Sequence, residues 1–299
     1  MEASKKHPVL EAKPLLPAQA TLGEGSLWNI ETQQLYWVDI DGCVLHIYDP
    51  LTGADRQVPM PSAVSTVVPV AGGDVLLALQ SGIHRLNLKT LQLTLLCNPI
   101  DSAAYRYNDG KCDPSGRFWV GSLTLSRAPG ASVLYRLDGD GSLHGMLQGL
   151  TIPNGIVWTA DRKTMYFIDT PTQQVDAFDY DDATGDIHNR RTAFKIPVEQ
   201  GSPDGMSIDA EGALWIAMWG GSAVNRYDPH TGEVLLRVKV DAPHTSSCAF
   251  GGKDLKTLFI TSAREDLSGQ DLEDHPLSGD LFSVDVDVPG VPASFYQPV

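Results

Sequence analysis

The sequence predicts an all-β fold, a six-bladed β-propeller with four-stranded blades, and three observations lead there. Six apolar runs, centred on Tyr36, Leu76, Phe118, Tyr166, Trp215 and Phe259, recur about 40 to 49 residues apart, the length of one four-stranded blade. Four of them follow, by about 10 to 12 residues, an oxygen-bearing side chain with a Gly one or two positions on, which marks one unit repeated: Glu24-Gly25, Asn108-Asp109-Gly110, Asn154-Gly155 and Asp204-Gly205. No stretch carries helical periodicity; the chain reads as short strands punctuated by turns. A β-sandwich of repeated hairpins explains the strands but not a unit repeated six times.

Taken in order, residues 1–13 are polar and Pro-flanked and read as a partly disordered leader, and 14–299 as a single propeller domain. The extended segment at Leu15-Leu16 is expected to pair near Phe282-Ser283-Val284, so that the two ends of the chain share the last blade and no sheet edge is left free. Each apolar run is followed by a third alternating run and a closing turn. Asp49-Pro50-Leu51-Thr52-Gly53 and Asp228-Pro229-His230-Thr231-Gly232 are such turns, with Pro presetting one dihedral and Gly supplying the positive one.

Composition narrows the function. Among 299 residues, 22 Lys and Arg stand against 37 Asp and Glu, a formal charge of −15. Without a basic surplus to neutralise phosphates, nucleic acid and anionic membranes are disfavoured as partners. No run resembles a signal peptide or a membrane span. The four cysteines, Cys43, Cys97, Cys112 and Cys248, lie far apart without a Cys-x-x-Cys, which reads as unpaired thiols in a cytoplasmic protein.

In a propeller the innermost strands run along a central channel, so equivalent positions in each blade face one axis. Glu24, Asn108, Asn154 and Asp204 are such positions, with Ser65-Thr66 and Ser246-Ser247 as the counterparts in the second and sixth units. Two carboxylates and two amides with hydroxyls nearby form a hard oxygen-donor set, suited to Ca²⁺, Mg²⁺ or Mn²⁺ and less naturally to Zn²⁺ or Fe²⁺. Taken singly, any of these residues could equally close an Asx turn against the next blade. Taken together, carboxylates converging on one axis call for a cation to offset their repulsion.

Leu22-Gly23-Glu24-Gly25-x-x-Trp28, Arg106-x-Asn108-Asp109-Gly110-Lys111, Ile152-Pro153-Asn154-Gly155 and Ser202-Pro203-Asp204-Gly205 resemble the senescence marker protein (regucalcin) and gluconolactonase family, in order and spacing and over nearly the whole chain. The resemblance implies that Glu24, Asn154 and Asp204 hold one divalent metal and that Arg106 and Asn108 contact a sugar substrate. Ser26 stands where the family usually has Pro, which alters a turn. Ser122-Leu123-Thr124-Leu125 lacks an acidic residue that some members place nearby, which bears on the identity of the sugar.

The expected activity is hydrolysis of a sugar lactone, such as glucono- or xylonolactone, with the metal polarising the carbonyl. Asp204 is the candidate general base, because a monodentate carboxylate ligand keeps one oxygen for the water's proton. Arg106 offers a planar fork of donors, and Asn108 a donor and an acceptor. The expected partner is a small-molecule lactone, and the protein a monomer or weak oligomer. A calcium-binding regulatory propeller and a metal-dependent organophosphate or aryl esterase are the rival readings. A serine hydrolase is disfavoured, since Ser246 and Ser247 lack a Gly-x-Ser-x-Gly context. His244 near the channel mouth reads chiefly as structural. Residues 122–132 read as a rim loop that shapes specificity, and 265–275 as a solvated loop that overhangs the channel.

Overall fold

The computed structural model describes residues 7–299. Residues 1–6 of the expected leader lie outside the described residues, and residues 7–13 contribute strand. Val9–Glu11 is a strand parallel to Val234–Lys239, and Lys13–Leu16 pairs antiparallel with Leu281–Asp285. Leu10, Ala12, Leu15 and Leu16 pack against a buried cluster that includes Trp28, Phe259 and Phe282, so apolar positions between polar ones hold both strands in place. Lys13 opposes Ser283 and Pro14 opposes Phe282, the end-to-end pairing that the sequence predicts.

Four antiparallel sheets of four strands follow in chain order over 23–59, 64–97, 105–150 and 153–195. The remaining strands form one nine-stranded sheet instead of two separate ones. Within it, Ser202–Ile208 opens one four-stranded meander and His244–Gly251 opens another, which Lys13–Leu16 completes. A single residue pair, Trp219 with His244, joins the two meanders. Their rings stack with centroids 4.1 Å apart, which holds the two strand ends within pairing distance.

The first strands of the repeats are Gly23–Asn29, Val64–Pro69, Tyr105–Cys112, Pro153–Trp158, Ser202–Ile208 and His244–Gly251. Each packs against the next, and the last against the first, around a central channel. They approach closely: a Cβ on Gly155 would lie 2.5 Å from Cβ of Met206 and 2.8 Å from the Asp204 carbonyl oxygen. The core fills the spaces between sheets, with Trp37, Trp119 and Trp215 fully buried.

A recurrent turn anchors two of those indoles. Asp113 accepts from Trp119 Nε1 at 3.0 Å, and Asp209 from Trp215 Nε1 at 2.8 Å, each aspartate six residues ahead of its Trp. Leaving a buried indole N–H unpaired costs about 1–3 kcal/mol. One short α-helix, Gly269–Asp274, interrupts the last repeat. A capping box between Ser268 and Asp271 starts it, a signal too short to register as periodicity. Among the described residues no helix is long and apolar enough to cross a membrane, and the four cysteines form no disulfide.

Candidate active site

Every inner strand carries a β-bulge or register shift at the same height. The shifts fall between Glu24 and Leu27, Val64 and Thr66, Tyr107 and Gly110, Pro153 and Ile156, Pro203 and Met206, and Thr245 and Ser247. A bulge breaks the ladder and re-aims the side chains beside it. At four of the six it delivers Glu24, Asn108, Asn154 and Asp204 into one pocket of about 200 Å³, together with Arg106. The repeated bulge is the local reason why four distant motifs meet.

The other two positions do not reach the pocket. Ser65 and Thr66 donate to the carbonyls of Tyr107 (2.6 Å) and Asn108 (2.7 Å). Ser246 donates to the Gly23 carbonyl, while Ser247 bonds Ser26 at 2.9 Å and Thr261 at 2.6 Å. These hydroxyls lace neighbouring inner strands together, so the expectation of oxygen donors from all six units is corrected to four.

Glu24 and Asp204 are 6% and 5% exposed. Burial pushes Glu24 up to about 8, with the Asp109 carboxylate adding to the shift. Burial likewise raises Asp204 well above the usual carboxylate range, with Glu24 and then Asp109 contributing. Asp204 Oδ1 is buried and accepts no hydrogen bond. Two buried carboxyls whose charged forms are disfavoured by burial and by each other, one with an unpaired oxygen, make an arrangement that a cation would relieve. With the Asn154 amide they form an all-oxygen donor set that fits a hard divalent ion. Among the described residues no three His, Cys, Asp or Glu side chains group as a metal site; the candidate set has two carboxylates and an amide.

A hydrogen-bonded relay crosses the pocket floor. Arg106 Nη1 donates to Asn108 Oδ1 and to the Tyr107 carbonyl, both at 2.8 Å. Asn108 Nδ2 donates to Asn154 Oδ1 and to the Pro153 carbonyl, both at 2.9 Å. Asn154 Nδ2 donates to Thr170 Oγ1, which donates to the Pro203 carbonyl, each at 2.8 Å. Asn108 therefore has both N–H groups occupied by protein and retains only acceptor capacity, whereas Arg106 keeps its Nε and Nη2 donors. Burial lowers the Arg106 pKa, while Asp41, Glu265 and Glu24 favour its charged form.

Several lining residues carried no role in the sequence reading. Trp219, Leu22, Leu123 and Ile152 form apolar walls, and Arg127 and Glu265 stand at the rim. Arg127 belongs to the predicted rim loop, and Glu265 begins the loop that the sequence suggested overhangs the channel. Asp109 lies in a quoted motif but is buried, and its charge acts on both Glu24 and Asp204. His244 does not line the pocket: it stacks on Trp219, and its Nδ1 lies 2.9 Å from the Glu265 carbonyl oxygen.

Residues 22–264 match the family described as the SMP-30/gluconolactonase/LRE-like region. The chain belongs to the SMP-30/gluconolactonase family. It is 38% identical to a Bacillus subtilis protein named putative sugar lactone lactonase YvrE, over 97% of each chain. Human regucalcin is 36% identical, covering 90% of this chain and 92% of its own. Among solved structures, a calcium-binding regucalcin from Agrobacterium tumefaciens superposes with a TM-score of 0.92 at 28% identity, covering 97% of this chain and 99% of its own. A Xanthomonas campestris gluconolactonase superposes at 0.71 and 25% identity, over 94% and 90%. The family match spans every strand that bears a candidate site residue.

Proposed function

We propose that this chain is a sugar lactonase that hydrolyses an aldonolactone, such as a glucono- or xylonolactone, to the aldonic acid with the help of one divalent cation. The observation that carries the reading is the pocket itself. Two buried carboxylates and an amide oxygen face a small cavity beside a guanidinium with free donors, in a chain akin to proteins named lactonase and gluconolactonase. Glu24, Asn154 and Asp204 would hold the cation, and the calcium-binding relative favours Ca²⁺ among the hard ions. When bound, the cation polarises the lactone carbonyl and offsets the charge that grows on its oxygen.

The chain's own residues supply the rest. Asp204 Oδ1, without a protein donor, takes a proton from the attacking water as general base. The water oxygen bonds to the carbonyl carbon, the ring C–O bond breaks, and the ring oxygen leaves as a hydroxyl on receiving the proton that Asp204 has taken from the water. Arg106 Nε and Nη2 orient the sugar hydroxyls, and Asn108 Oδ1 accepts one more hydrogen bond. Leu22, Leu123, Ile152 and Trp219 give the cavity apolar walls, and a less polar surrounding strengthens each of these interactions. A regulatory calcium propeller would need neither the unoccupied guanidinium donors nor the cavity.

On the fold, we read the nine-stranded sheet as two blades joined at Trp219 and His244, so that 14–299 is one six-bladed propeller. The ring of six inner strands and the repeated bulge support that count. The function is tested by proton release from a panel of aldonolactones, after chelation and re-addition of individual metals. Hydrolysis should vanish on chelation and return with a hard divalent ion. Hydrolysis indifferent to chelator, or no turnover of any lactone, overturns the proposal.

A further inference from the structure

The pocket mouth is crossed by an ion-pair clasp. Arg127 Nη2 lies 2.7 Å from Glu265 Oε1, and Arg127 Nη1 lies 3.2 Å from Asp266 Oδ2. Arg127 follows the strand Phe118–Thr124, which pairs with the third inner strand, and Glu265 follows Thr257–Ala263, which pairs with the sixth. In the ring of six inner strands the third and sixth are three steps apart in either direction, so the clasp spans the mouth along a diameter.

Both sides are held in place before any ligand arrives. Arg127 and Asp266 adopt left-handed backbone conformations, with φ of 54° and 61°, which are uncommon for such residues and recur at ligand clamps. Thr124 fixes the first loop: its carbonyl accepts from the Arg127 N–H (2.8 Å) and its Oγ1 from the Ala128 N–H (2.7 Å). The second loop is tied to the Thr21 carbonyl by the N–H groups of Arg264 (2.9 Å) and Glu265 (2.8 Å). One guanidinium bonded to two carboxylates of the facing loop bridges the two anchored loops.

Arg127 and Glu265 both line the cavity behind the clasp, with Arg106 below them. At about 200 Å³ that cavity is smaller than the ~300–1,000 Å³ typical of sites for drug-sized ligands. We propose that Arg127, through its bridge to Glu265 and Asp266, is the specificity-determining residue that caps substrate size, restricting the site to a single-ring aldonolactone and excluding lactones that carry a second sugar. The proposal rests on the lactonase reading and adds its substrate class. A disaccharide-derived lactone would have to place its second ring where the guanidinium meets the carboxylates.

The experiment compares kcat/KM for D-glucono-1,5-lactone and for lactobiono-1,5-lactone, which bears a galactosyl substituent, in metal-loaded wild type, Arg127→Met and the double variant Glu265→Gln with Asp266→Asn. The two variants cut the clasp from opposite loops, and thermal melts confirm that each is folded. The ratio of large to small substrate should rise about tenfold or more in both, the scale on which a steric limit discriminates. Binding of the larger lactone at 4 °C, followed by calorimetry, should tighten in the same two variants. An active wild type with an unchanged ratio in both variants overturns the clasp while leaving the lactonase reading intact. A ratio that rises only in Arg127→Met also overturns it, because the bridge would not be the barrier. A wild type inert to the single-ring lactone under every metal overturns the lactonase reading, and this proposal falls with it.

Discussion

Asn108→Ala separates two roles that the Arg106–Asn108–Asn154 relay could have. If Asn108 only touches substrate, its loss should raise KM and leave the empty protein unchanged. The structure makes it a strut. Its amide is buried, accepts from Arg106 at 2.8 Å and donates to Asn154 Oδ1 and the Pro153 carbonyl at 2.9 Å. Truncation leaves those two acceptors unpaired, at about 1–3 kcal/mol each, so roughly 2–6 kcal/mol of stability is lost. At about 2–4 °C per kcal/mol, the melting midpoint should fall by roughly 4–24 °C. Asn154 also loses the partner that orients its oxygen, and removing such a support typically weakens metal binding about 10- to 100-fold. Scanning calorimetry of chelated protein and competition of bound metal against a chelating dye measure the two effects separately. A melting midpoint and a metal affinity both equal to wild type would refute the strut, leaving Asn108 a pure substrate contact.

Other substitutions probe the remaining parts. Asp204→Asn should keep metal through its amide oxygen yet lose about 10²- to 10⁴-fold in kcat, as expected when a general base is removed; near-normal turnover in the metal-loaded variant would move the base elsewhere. In chelated protein, Glu24 has a folded pKa of about 8 against an ordinary 4.5, mainly through burial. The native state then binds a proton that the unfolded chain releases, so stability should fall as pH rises from about 4.5 to about 8. Glu24→Gln should flatten that slope and weaken metal binding, and parallel pH-stability curves for the two proteins would contradict it. Asp209→Ala strands Trp215 Nε1, which it meets at 2.8 Å, and takes one of two carboxylate partners from Arg226, leaving it with Glu211 at 2.7 Å. It should cost about 1–3 kcal/mol for the unpaired indole while stoichiometric metal still binds the fraction that folds. Loss of metal binding by that folded fraction would show that the far turn supports the site.

The legible part of this molecule is the part built from local chemistry. Gly after each oxygen-bearing residue marks the inner strands because neighbouring backbones close on it, as at Gly155 and Gly205, where a Cβ would lie 2.5 to 2.8 Å from the next strand. Strand spacing and turn residues likewise announce the repeats. What the sequence hides is the partner of each polar group. Ser65, Thr66, Ser246 and Ser247 look equivalent to the site residues in register, yet their hydroxyls are short enough to reach the adjacent strand and are taken up there. The short strand Val9–Glu11 escapes a reading by composition because a sheet edge is available for it to pair with, and Leu10 and Ala12 suffice to seat it there. The clasp is invisible for a similar reason: Arg127 and Glu265 are 138 residues apart, and only closure of the ring opposes their loops.

The candidate metal donors sit on inner strands beside bulges, and Asn154 is hydrogen-bonded both to Asn108 and to Thr170. A substitution there disturbs charge balance, strand packing and relay together, so its effects should be non-additive with its neighbours. The clasp residues sit on loops whose backbone bonds are to Thr124 and Thr21 and not to the donor-bearing strands. Arg127 is 44% exposed, Asp266 58% and Glu265 22%, so removing one of them leaves partners that water can still reach. Changes at the rim should therefore combine additively with changes at the donors. A double-mutant cycle between Arg127→Met and Glu24→Gln should show a coupling in metal affinity below about 0.5 kcal/mol. Coupling well above that value would mean that the clasp reaches the cation through Arg106, whose guanidinium feels both Arg127 and Glu24, and that size selection and metal binding are one device and not two.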